Sequence, residues 1–83
     1  MTPSVIHVVA GRDYCLHIEF DNHEYGILNM KPYLDFGVFK LLKDPSVFTK
    51  VRVSFDTIAW NDGIDLDPQF VYEKTIKTAS NNA

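Results

Sequence analysis

Three groups of residues in this 83-residue chain have types and spacings that chemistry could use. Asp62, Asp65 and Asp67 offer hard oxygen donors in one short loop, the kind of set that holds Ca²⁺ or Mg²⁺. The order lacks the alternating ligands and closing Glu of an EF-hand loop. Asp67 also precedes Pro68, a pair that starts helices: the Asp side chain accepts backbone N–H groups and Pro suits the first helical position. Turn and cap structure is therefore the expectation there, without a metal. His7, Cys15 and His17 form the second group. A hairpin that sets His7 opposite His17, with Cys15 two residues along, brings together three possible Zn²⁺ ligands in need of a fourth. Half-buried polar side chains on a sheet face are the simpler reading. As a nucleophile beside His17, Cys15 lacks the helix N-terminus or exposed turn that activates a thiol.

The third group is Lys40, Lys43, Lys50 and Arg52, interleaved with Phe39 and Phe48. Alternating cations and aromatics bind single-stranded nucleic acid by charge and stacking. These aromatics fall at inward positions, which leaves a solvated basic rim. No Gly-rich phosphate loop and no recognisable acid/base pair of carboxylates is present, so neither a catalytic residue nor a cofactor is expected.

The elements that must position these residues read as follows. Ser4 to Ala10 is apolar enough for a strand, and Gly11-Arg12-Asp13 reads as a turn. Tyr14 to Phe20 alternates strictly, with Tyr14, Leu16, Ile18 and Phe20 on one face and Cys15, His17 and Glu19 on the other. Asp21 to Glu24 reads as a turn before a third strand, Tyr25 to Met30, and short loops make an antiparallel meander the simplest topology. A three-residue first loop pairs Ala10 with Tyr14, Val8 with Leu16 and Ile6 with Ile18. A second turn centred on Asn22 and His23 pairs Phe20 with Tyr25 and Ile18 with Ile27. The other face then carries Val5, His7, Val9, Cys15, His17, Leu28 and Met30. That set is apolar enough to expect a cover, either a helix of the same chain or a second copy.

Lys31 to Lys43 loses the alternation and fits a loop with one or two helical turns. Asp44-Pro45 starts a single turn carrying Val47 and Phe48. Lys50 to Phe55 resumes alternation with Val51, Val53 and Phe55 inward. A turn at Asp56-Thr57 would set Phe55 against Ile58 and Val53 against Trp60. Gly63 in Asn61-Asp62-Gly63 supplies positive φ, and Leu66 with Val71 forms a hydrophobic staple around the Asp67-Pro68 helix start. The helix is expected to fade by Thr78, leaving residues 79–83 as a flexible tail on a single domain of residues 1–78. The whole is an α+β fold: a small antiparallel sheet of about five strands, one or two short helices and a C-terminal helix.

Composition narrows the setting. So short a chain buries only about 60–65% of its unfolded surface, and Cys15 is its sole cysteine, so no internal disulfide can staple it. The lone thiol, the short apolar runs and a start without a basic-then-apolar leader point to the cytoplasm and away from membranes. A formal charge of −3 argues mildly against nucleic acid as the main ligand.

Phe48-Thr49-Lys50-Val51, the strand ending in Trp60, the run Asn61-Asp62-Gly63-Ile64-Asp65-Leu66-Asp67-Pro68 and Tyr72 resemble the bacterial family catalogued as domain of unknown function 2442. Tyr14 to Phe20 and Phe39 to Leu42 are similar to it as well, so the likeness spans roughly residues 4 to 74. The chain departs from it after Trp60, where many relatives carry Pro-Asn-Gly. The resemblance implies a small bacterial α+β domain, sometimes joined to a helix-turn-helix and often encoded near other small proteins, with no established catalytic residue. Such settings suggest a regulatory or antitoxin-like role. The expectation is a non-enzymatic protein-interaction module that self-associates as a homodimer or binds a protein partner. His7, His17, Leu28, Met30, Trp60, Asp62 and Asp65 are its candidate contact residues. The alternative is a regulatory nucleic-acid-binding or small-ligand-binding module.

Overall fold

Two Asp-Pro pairs start the two α-helices of the computed structural model, which describes residues 2–61 and 63–78. Three strands come first: β1 (Val5–Ala10), β2 (Cys15–Phe20) and β3 (Tyr25–Asn29). Short 3₁₀ segments at Lys31–Tyr33 and Gly37–Lys43 lead to α1 (Pro45–Phe48), then β4 (Arg52–Ser54), β5 (Thr57–Ala59), α2 (Pro68–Lys74) and β6 (Ile76–Lys77). At each helix start the Asp carboxylate accepts a backbone N–H, Ser46 to Asp44 at 3.0 Å and Phe70 to Asp67 at 3.1 Å. This satisfies one of the donors that a helix start leaves without a partner.

The α+β architecture is as expected, but the strands divide into two sheets. One has four strands in the order β1-β2-β3-β6, and the other is the β4–β5 hairpin. The core lies between the inner face of the larger sheet and a layer made by the hairpin, α1, α2 and the 3₁₀ segments. Leu16, Ile18 and Phe20 meet Leu42, Phe48, Ile58, Trp60, Ile64 and Val71 there. Leu66 and Val71 are both buried, as a staple requires. The final helix therefore packs on its own sheet, with Tyr72 edge-on to Phe20 at 5.0 Å and Phe70 edge-on to Tyr33 at 5.1 Å.

The registers differ from the expected ones, and each difference has a local cause. The first loop is longer than three residues: Gly11 N–H donates to Cys15 O, and Asp13 and Tyr14 take φ of 53° and 61°. Val8 therefore pairs with Ile18 and Ala10 with Leu16, a two-residue shift that preserves the faces. The register also jumps between Val5 and His7. A bulge of this kind reverses parity locally, so Val5 is buried and Ile6 is exposed, the opposite of the expectation.

The second turn closes through Phe20 N–H to Glu24 O at 2.8 Å, with His23 at φ 74°. That leaves three loop residues instead of two, and one extra residue inverts the following strand. Glu19 now faces Tyr25 and His17 faces Ile27. Leu28 and Met30, expected on the outer face, lie in the core, while Tyr25 and Ile27 point out.

The last helix ends at Lys74, short of the expected Thr78. Thr75 is buried and extended, its hydroxyl donating to Val71 O at 2.6 Å, and the chain continues as β6 against β3. Gly26 makes that approach possible. A β-carbon there would stand 2.2 Å from Ile76 O and 2.7 Å from Lys77 Cα. The expected tail, residues 79–83, and Asp62 lie outside the described residues.

Trp60 is the largest fully buried side chain, and its indole N–H donates to Phe48 O at 2.9 Å. Trp60→Phe keeps an aromatic but leaves that buried carbonyl without its donor, at a cost of about 1–3 kcal/mol, read as a lowered urea midpoint. Gly26→Ala forces β6 away from β3, with a loss of about 1–3 kcal/mol from overpacking. Faster hydrogen exchange at the Thr78 amide, which donates to Tyr25 O at 2.9 Å, is the local readout.

Candidate functional site

The inverted β3 builds an outer sheet face different from the expected one. Cross-strand partners set His7, Glu19 and Tyr25 in one transverse row. Val9, His17, Ile27 and Ile76 make the next, spanning all four strands. Alternate strand residues share a face, so both rows lie on the side away from the core. Val9, Tyr25, Ile27 and Ile76 are all exposed. Between the rows the surface dips into a cavity of ≈ 440 Å³, walled by Val9, Tyr25 and Ile27 and edged by His7, His17 and Glu19.

Phe55 is the second feature of the surface. Ser54 pairs with Thr57 and Val53 with Ile58, so the turn falls at Phe55-Asp56, one residue earlier than expected. Phe55 takes φ 54° and is 98% exposed, where the alternation placed it inside. The tip is held in place by its neighbours. Val5 N–H donates to Asp56 O at 3.1 Å, the Ser4 hydroxyl donates to Asp56 Oδ1 at 3.1 Å, and the Thr57 hydroxyl donates to Leu66 O at 2.8 Å. The hairpin tip is thus latched to the start of β1 while its aromatic ring projects into solvent.

A polar clasp closes the β2–β3 turn onto the last helix. The Tyr72 hydroxyl and the Asn22 amide both donate to Glu24 Oε1, and Lys77 Nζ lies 3.7 Å from the centre of the Tyr72 ring. The Tyr72 hydrogen bond first, then that of Asn22, holds the Glu24 carboxyl below its ordinary value of 4.5. The same bond to Glu24 raises Tyr72 above 10.0.

The residues singled out in the sequence separate. His7 and His17 share the outer face but are not opposite each other: His7 faces Glu19, and His17 faces Val9. The His17 imidazole lies over Gly11, where a β-carbon would stand 2.6 Å from Nε2. Among the described residues no three His, Cys, Asp or Glu side chains converge as metal ligands. Leu28, Met30 and Trp60 are core residues, and as such cannot serve as contact residues. Asp65 is exposed, its backbone bridging to Ala59. In the basic group, Phe48 is buried, Phe39 packs against the core and Lys43 pairs with Asp35 at 2.5 Å, so no aromatic platform accompanies the cations. Phe55, Tyr25 and Ile27 were not among the expected contacts. Pairing Val53 with Ile58, two β-branched residues, was the available signal for a turn at Phe55.

A family model described as "Protein of unknown function (DUF2442)" matches residues 5–77, from the first residue of β1 to the last of β6. The chain belongs to this family. The match extends through β6, so the family domain includes the strand that Gly26 admits. No curated protein matches the chain, and no solved structure matches it. No helix among the described residues of this family member is long and apolar enough to cross a membrane.

The clasp gives the family domain a defined pH response. Glu24 is depressed, so its contribution is complete above about 4.5 and is lost as pH falls through the lower folded value. Tyr72 is raised, so the same bond is complete below about 10 and is lost as pH climbs through the higher folded value. Tyr72→Phe is expected to remove the alkaline loss and reduce the acid one, measured as melting temperature against pH. Asp35 and Asp44 keep part of the acid limb, since bonds from Lys43 and Ser46 respectively depress them.

Proposed function

We propose that this domain is a non-enzymatic protein-interaction module that makes its contact through the β4–β5 hairpin tip and acts as a regulatory or antitoxin-like partner in the bacterial cytoplasm. Phe55 carries the reading. A bulky residue in the left-handed region costs on the order of 1 kcal/mol. An exposed phenylalanine also forgoes the roughly 1.5–3 kcal/mol that burial supplies. No contact within the chain offsets either cost, because the ring is 98% exposed. Asn or Gly would make the turn more easily, so the aromatic is explained by something outside the chain. Exposed aromatics of this kind are the residues that dominate binding energy at protein interfaces.

The residue types that suggested other chemistry have structural tasks that support the same reading. Asp67 caps α2, Trp60 anchors the core and Phe48 lies beneath α1. Phe55→Asn is expected to raise the melting temperature by ~4–8 °C, the equivalent of about 1 kcal/mol in a domain of this size, while abolishing capture of the partner. An unchanged melting temperature together with unchanged capture would sink the proposal.

A further inference from the structure

Resting on that reading, we propose that the partner is a second copy of this chain: Phe55 of each copy enters the outer-face cavity of the other about a two-fold axis. The knob and the hole match in size and polarity. The cavity of ≈ 440 Å³ is walled by Val9, Tyr25 and Ile27, and cavities of ~300–1,000 Å³ accept small organic groups such as a phenyl ring. They also lie close together on the molecule. Asp56 O is bonded to Val5 N, and two residues along β1 His7 begins the row that edges the cavity. A knob beside its own hole allows a closed, reciprocal contact, in which each surface meets its equivalent and no filament forms.

Charge supports the same occupant. Glu19 stands at the cavity edge and Arg52 on the hairpin below Phe55, both exposed and neither in an ion pair among the described residues. In the reciprocal contact Arg52 of one copy faces Glu19 of the other, while Asp56 comes toward His7. The area sets the strength. Each aromatic buries ~150–250 Å², so two knobs with the walls they cover bury about 600–1,000 Å². That is below the ~1,200–2,000 Å² of stable complexes and suits a transient pair. The dimer is accordingly a weak one, with Kd on the order of micromolar or above.

Sedimentation of the purified chain from about 1 µM to 1 mM tests this, the range being that of weak complexes. The expected result is a monomer–dimer equilibrium weakened at least ~10-fold by Phe55→Asn and by Ile27→Glu, the size of a hot-spot loss. Phe36→Ser, on a different exposed patch, should leave it unchanged. Arg52→Glu and Glu19→Arg should each weaken the dimer, and combining them should restore it, which a purely structural role for either residue would not produce. A dimer indifferent to Phe55→Asn, or no rescue by the charge exchange, overturns the reciprocal contact. A chain monomeric throughout overturns the second copy as partner. If Phe55→Asn still abolishes capture of a different protein, the interaction-module reading survives that result, and if it does not, both readings fall.

Discussion

The indole of Trp60 is the constraint on which the two layers of this domain depend. Its N–H is spent on Phe48 O, its backbone N–H on Ile64 O at 2.8 Å, and its ring packs 6.1 Å from that of Phe48. One residue thereby joins α1, β5 and the segment returning toward α2. A buried Trp that satisfies its polar atom adds large apolar area without a desolvation penalty. In a chain too short for a second core, that matters more than any single helix. Gly63, at φ 76°, lets the chain reverse between Trp60 and Ile64, and Leu66 N–H then donates to Ile58 O at 3.1 Å. The residues from Trp60 to Asp67 are therefore a structural clasp whose carboxylates have no common ligand to hold.

What was legible in the sequence was local. Asp44-Pro45 and Asp67-Pro68 specify their helix starts within three residues, Gly63 specifies its turn, and strict alternation specifies β2 and its inner face. Loop length was not legible. Asn22 and His23 were correctly placed in a turn, but His23 in the left-handed region adds one loop residue, and side-chain parity in a strand leaves no room for partial error. Leu28 and Met30 therefore moved from the supposed contact surface to the core. Val5 and Ile6 exchanged places for a related reason. The latch from Asp56 to Val5 is 51 residues distant in sequence, and no local pattern records it. The two-residue β6 likewise depends on a backbone approach that only the absent side chain of Gly26 permits.

The candidate contact surface is a product of these non-local choices. With β3 inverted, the two histidines no longer face each other, and Tyr25 and Ile27 join Val9 around a cavity. A face that would have been aliphatic and in need of a cover became mixed, with Glu19, His7 and His17 at its edges. Mixed composition of this kind remains hydrated in the free chain yet retains apolar walls for a transient contact. Ile76, at the open edge of β6, extends the same row.

The hairpin tip shows why Phe55 is not merely left over from folding. Moving the turn one residue later would bring Phe55 against Ile58 and bury it, but Asp56 O would no longer reach Val5 N, nor the Thr57 hydroxyl Leu66 O. Those bonds hold the small hairpin against β1 and against the segment leading into α2, so the observed turn preserves the union of the two layers. That necessity fixes where the turn falls and leaves the residue type at its first position free. Given a position that must adopt positive φ and touches nothing, the backbone favours Gly, Asn or Asp. A phenylalanine there satisfies no requirement of the isolated chain, and the energy it withholds from the folded state is recovered only when another surface covers the ring.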